Sequence, residues 1–99
     1  MHLDAFRNSL SGEAPPEGLD EALRALWWDA KGKWDSAHAC VQAEGGPRAA
    51  WVHAYLHRKE GDVPNASYWY GRAGRPVASD PLEQEWARIA AGLLRNDGA

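Results

Sequence analysis

Ninety-nine residues with 11 Lys and Arg against 14 Asp and Glu give a formal net charge of −3, and 44% of the chain is hydrophobic, including six Trp. That length fits one domain near the lower end of comfortable size, where large aromatics supply much of the area a small core needs. Interleaved acids and bases exclude a basic patch for nucleic acid, the lone Cys40 excludes an intrachain disulfide and a Cys-based zinc site, and no run approaches the ~20 apolar residues of a membrane span.

The first residues, MHLDAFRNSL, lack the long apolar core of a signal peptide, and a solitary cysteine fits a reducing cytoplasm, the expected compartment. From Asp4 to Leu10 the spacing suits one or two helical turns, with Leu3, Phe6 and Leu10 on one side. Ser11 to Gly18, SGEAPPEG, is a loop by composition, too short to separate two domains. A helix is predicted from about Leu19 to Lys31, with Leu19, Leu23, Leu26, Trp27 and Ala30 as its apolar stripe and Gly32 as its stop. A second is predicted from about Trp34 to Glu44, with Trp34, Ala37, Cys40 and Val41 inward, ended by Gly45-Gly46-Pro47.

The stretch Trp51 to Arg72 reads as two short helices joined at Gly61-Asp62. In the first, Ala49, Trp51, Val52, Tyr55 and Leu56 share a broad arc, while His53 and His57 stand one turn apart with Glu60 bordering the same edge. Gly61 takes the left-handed position that ends the helix; Asp62 or Asn65 caps the next, and Pro64 suits its first turn. In the second, Ala66, Trp69, Tyr70 and Ala73 face one way and Tyr68 and Arg72 the other, before Gly74 and Pro76 end it. Trp51 and Trp69 are expected to face each other's helices across this hairpin. The run Asp80-Pro81-Leu82-Glu83 announces a last helix to about Arg95, with Asp80 as N-cap and Glu83 completing a capping box. Its inward residues are Leu82, Trp86, Ile89, Ala90 and Leu93. No stretch alternates with period two, so no strand is predicted.

Laying Gly32 on Gly61 brings Ala37 onto Ala66, Val41 onto Tyr70 and Leu26 onto Tyr55, one helix–Gly–helix unit twice over. On Gly61, Ala66, Tyr70 and Ala73 in the second unit, and Gly32, Trp34 and Ala37 in the first, the chain resembles a tetratricopeptide-like or Sel1-like helical repeat. The resemblance covers about Leu19 to Gly74. It implies an all-α fold of stacked helix hairpins with residues 80–95 as a capping helix; a compact five-helix bundle suits the pattern equally. It also implies a scaffold that holds a peptide or partner protein.

Under the repeat register Trp28 corresponds to His57 and Asp29 to Arg58, so these four are expected to line one groove wall with His53. Packing of Trp28 under the N-terminal segment, against Phe6 or Leu10, is the structural alternative. Tyr68 and Arg72, four apart, form an outward aromatic–cation pair suited to a second or self-association surface. Cys40 reads as a small core hydrophobe, with His38 two residues away and facing elsewhere. His53 and His57 match a HxxxH pair, but Ala54 follows His53, so the catalytic Glu of a HExxH motif is absent. The expectation is therefore a non-enzymatic interaction module without cofactor or metal. The alternatives are a small metal-dependent enzyme using His53, His57 and Glu60, and a homodimer assembled through the aromatic surface.

Overall fold

The computed structural model describes residues 1–97, with side chains through Arg95. Six helices follow one another: α1 (Leu3–Asn8), continued by a 3-10 turn (Ser9–Ser11), then α2 (Glu21–Ala30), α3 (Trp34–Gln42), α4 (Pro47–Glu60), α5 (Val63–Ala73) and α6 (Leu82–Asp97). No strand occurs among the described residues.

Local chemistry explains most boundaries. Asp20 is the N-cap of α2, its carboxylate accepting the Leu23 N–H at 3.0 Å, so this helix starts after Leu19 rather than at it. Gly46 is extended and Pro47 opens α4, which puts the proline where its missing N–H costs nothing; α3 has already ended at Gln42, so Gly45-Gly46-Pro47 is a start rather than the expected stop. Gly32 and Gly61 take φ of 79° and 90° at matching positions. At the first, Gly32 N–H bonds Asp29 O and Lys33 N–H bonds Trp28 O; at the second, Gly61 N–H bonds Arg58 O and Asp62 N–H bonds His57 O. Both are the paired bonds of a Schellman cap. At the start of α6 the expected Asp80 cap is not made. Pro81 O accepts from Gln84 and Glu85 N–H, and the Asp80 carboxylate is held instead by Arg88 at 3.0–3.2 Å, because a charged fork outcompetes a single neutral N–H.

The helices pair as hairpins, α2 with α3 and α4 with α5, and α4 packs on both helices of the first hairpin. Helix α6 lies against α2 and α4 together, with α1 on α6. Apolar stripes meet there: Leu23, Leu26, Trp27, Val52, Leu56, Ile89, Leu93 and Phe6 are all buried. The Trp86 indole donates to Leu26 O at 2.9 Å, and Phe6 stacks on Trp86 at 5.7 Å. Beneath the N-terminal segment lies Trp27, whose indole donates to Ser9 Oγ, while Trp28 is half-buried and edge-on to Trp27 at 5.0 Å. Half of the expected facing of Trp51 and Trp69 is corrected: Trp69 does turn to α4, where it stacks on His53, but Trp51 turns to Gly92 of α6 and lies under the Arg75 guanidinium, 3.8 Å from its ring. No helix among the described residues is long and apolar enough to cross a membrane.

Candidate functional site

Spacing along α4 carries His53 and His57 to one edge, and the α3–α4 packing brings His38 to meet them. On α3, Trp34 and His38 are four apart and stack at 4.8 Å with 9° between planes. The Trp34 indole donates to Leu56 O at 2.9 Å, which fixes α3 against α4 at this point. Across the gap His38 Nε2 lies 3.1 Å from His53 Nε2, and the two rings meet edge-on. His53 and His57 stack at 4.9 Å, and Trp69 of α5 covers the other face of His53 at 3.9 Å. Three imidazoles thus stand on a floor of α4 between a tryptophan from α3 and one from α5. His53 and His57 are buried and His38 is half-buried.

The electrostatics follow from that crowding. Burial first, then the neighbouring His38 and His57, brings the His53 pKa down to about 4. Burial, then His57, lowers His38 as well, against smaller opposing contributions from Glu60 and Asp35. Near neutral pH His53 is therefore an uncharged nitrogen base with a free lone pair. His57 Nδ1 lies 2.6 Å from Glu60 Oε2, a bond that fixes its tautomer and leaves Nε2 as its lone-pair nitrogen. His53 Nδ1 is buried and has no hydrogen-bond partner. The ligating nitrogens of His38, His53 and His57 all lie within 4.8 Å of one another. Glu60 backs His57 rather than joining it and His53 as a third ligand; with Asp62 it forms a second, more exposed group around His57. His38 is the member sequence reasoning left out. The Trp34–His38 spacing was its only local signal, and its approach to α4 depends on how two helices cross.

The other candidate residues divide. Tyr68 and Arg72 stand outward as the spacing predicts: Arg72 donates to Tyr68 Oη at 3.0 Å, and its guanidinium lies over both the Tyr68 and Trp69 rings at 5.9 and 5.7 Å. Asp29 is buried, accepting from Tyr55 Oη at 3.0 Å and Lys59 Nζ at 2.9 Å. Burial, then that carboxylate, pushes the Tyr55 phenol up, so it stays protonated and donating. Arg58 is committed to Glu85 at 2.7 Å and to the Asp80 backbone carbonyl. Glu85 is fully buried and also accepts from Tyr70 Oη at 2.5 Å. Beside His57 stands Trp34, at 6.1 Å between rings, in the place the repeat register gives to Trp28. Cys40 is half-buried, its thiol pushed up by burial and then by Glu21, which makes it a poor nucleophile.

One further hollow, of about 650 Å³, opens between the ends of α2 and α4 and is closed by α1 and α6; Leu10, Asp29, Tyr55, Lys59, Leu82 and Trp86 line it. Comparison of the chain with protein-family models, with curated proteins and with solved structures finds no match in any of the three.

Proposed function

We propose that this chain is a non-enzymatic interaction module of a reducing cytoplasm, which holds a protein or peptide partner on the outer face of its second hairpin. The observation that carries this reading is the open cation–aromatic set on α5. Arg72 bridges Tyr68, 54% exposed, and the half-buried Trp69, with Val63, 60% exposed, three residues before Ala66 on the same helix. Aromatic residues and Arg are the types enriched in protein interfaces, because they bury large area with little conformational entropy lost. Trp69 and Arg72 also border a hollow of about 160 Å³ against Gly45, Gly46 and Pro47, large enough for one anchoring side chain. A segment with one apolar anchor and an acidic flank meets both features.

The groove between first helices, where a hairpin array would hold its partner, is taken up here by α6, and Asp29 and Arg58 are tied into buried networks. Partner contact is therefore assigned to Tyr68, Trp69 and Arg72, with His53 supporting Trp69 from beneath.

The test is site-specific photo-crosslinking in the native cell. A photoreactive residue at Tyr68 should trap one discrete protein, either a different chain or a second copy of this one, and the same residue at exposed Glu13 should not. Equal trapping from both positions overturns the reading.

A further inference from the structure

Beneath that face, we propose that His38, His53 and His57 bind a single zinc ion, with a fourth coordination position left for water. Three observations carry this independently of the partner surface. The first is convergence. Two elements deliver three imidazoles whose ligating nitrogens lie within 4.8 Å of one another, the nearest pair at 3.1 Å. Zinc–nitrogen bonds of ~2.0–2.1 Å in a tetrahedron set nitrogens about 3.3 Å apart, so the nearest pair already has the spacing and the widest closes by about 1.5 Å.

The second is support from behind. Glu60 accepts from His57 Nδ1 at 2.6 Å, the carboxylate–histidine pairing that orients a zinc ligand and raises its basicity. The Trp34 and Trp69 rings press on His38 and His53, at 4.8 and 3.9 Å, and hold both planes. The third is a polar shortfall. Two neutral imidazoles meeting Nε2 to Nε2, one of them on a residue 4% exposed, share one hydrogen bond at most. Packing alone would favour apolar residues at such a position; a cation turns the crowded lone pairs into ligands.

The donor set chooses the ion. Neutral imidazole nitrogen suits zinc and the other late first-row dications rather than magnesium or calcium, and three protein ligands with an open position is the zinc arrangement that keeps a water. Cys40, on the same helix as His38, faces Glu21 and Arg24 and contributes no thiolate to the group.

The experiment titrates zinc chloride into the full chain after chelator dialysis at neutral pH, with calorimetry and a competing chromophoric chelator as readouts. One equivalent should bind. His38→Gln should weaken binding by at least about 100-fold and Glu60→Gln by about 10–100-fold, the range for a partner behind a ligand. His2→Gln, altering the only histidine outside the cluster, should leave affinity unchanged. The proposal is overturned if the wild type binds zinc no more tightly than a variant with all three histidines replaced by Gln. It is overturned equally if His2→Gln abolishes binding, or if Asp62→Asn weakens it as much as His38→Gln, which would place the ion in the outer group. Because a His53 variant can fail to fold, X-ray absorption on the zinc-loaded wild type gives a second readout. A shell of three imidazole nitrogens at about 2.0–2.1 Å supports the site, and an all-oxygen shell refutes it.

Discussion

His53 stands between Trp69 and two other imidazoles, and its pKa of about 4 ties stability to acid. Its folded value lies below the 6.5 of an open histidine, so between those limits the unfolded chain binds the extra proton. This contribution is complete above pH 6.5 and is lost as pH falls towards 4, with His38 acting in the same sense. The titratable groups acting on His53 are His38 from α3 and His57 from α4, while Asp35 and Glu60 act on His38; Trp69 of α5 adds no charge. In metal-free protein the loss should reach about 3 kcal/mol, read as a fall in the urea midpoint from pH 7.5 to 4.5 that His53→Leu largely removes. An equal fall in the variant places the acid sensitivity elsewhere. The buried carboxylate offers a second test. Arg58→Ala strips Glu85 of its cation and should cost about 3–5 kcal/mol, whereas Tyr70→Phe removes one neutral donor and should cost about 1–2 kcal/mol; denaturant melts of the two variants in the opposite order would contradict the pairing. The spacing of His53 and His57 was legible in the sequence. That Asp29 and Arg58 are consumed internally was not, because their partners Tyr55, Lys59 and Glu85 are recruited by helix packing, on which pair spacing along one helix is silent.

At the scale of elements, glycine placement was the most readable signal. Gly32 and Gly61 end their helices with positive φ, and a Cβ at either would meet nothing within 4 Å. Substituting Ala at either site therefore tests backbone strain alone, and each should lose about 1–2 kcal/mol in a denaturant melt. Gly92→Ala is the contrast: its Cβ would lie 3.1 Å from the Trp51 ring, so its cost comes from overpacking instead. One tryptophan from each hairpin, Trp27 of α2 and Trp69 of α5, also part company. Trp27 is fully buried and its truncation to Ala should cost about 3–5 kcal/mol, while half-buried Trp69 should cost clearly less. A Trp69→Ala loss equal to that of Trp27→Ala would make the imidazole cluster part of the main core. The helix starts were harder to read than the ends. Pro47 can close one element or open the next, and Asp80 had two suitors, a backbone amide and Arg88, of which only the first lies close in sequence.

For the whole molecule, periodicity and caps specified an all-helical chain of five or six helices without strands, and the matching glycine turns specified two hairpins. What lies on what was not specified, because amphipathic stripes name a buried face and leave its partner open. The decisive case is α6, which lies against the first helices of both hairpins, tied to α2 through the Trp86–Leu26 bond, 60 residues apart in sequence, and to α4 through the Arg58–Glu85 pair. Its connection to the hairpins is the irregular run from Gly74 to Pro81. A chain arranged this way is a receptor already filled by its own tethered ligand, and the tether supplies an effective concentration on the order of millimolar. Cutting at Val77 should therefore leave two pieces that find each other again. Residues 1–76 alone should melt broadly, and adding a peptide of residues 78–97 should restore a sharp transition whose midpoint climbs with peptide concentration. A midpoint indifferent to the peptide would mean that the hairpins stand without it. The same arithmetic predicts an order of assembly, readable by stopped-flow fluorescence: both hairpins close over short spans first, and α6, whose partners lie farther away in sequence, docks last.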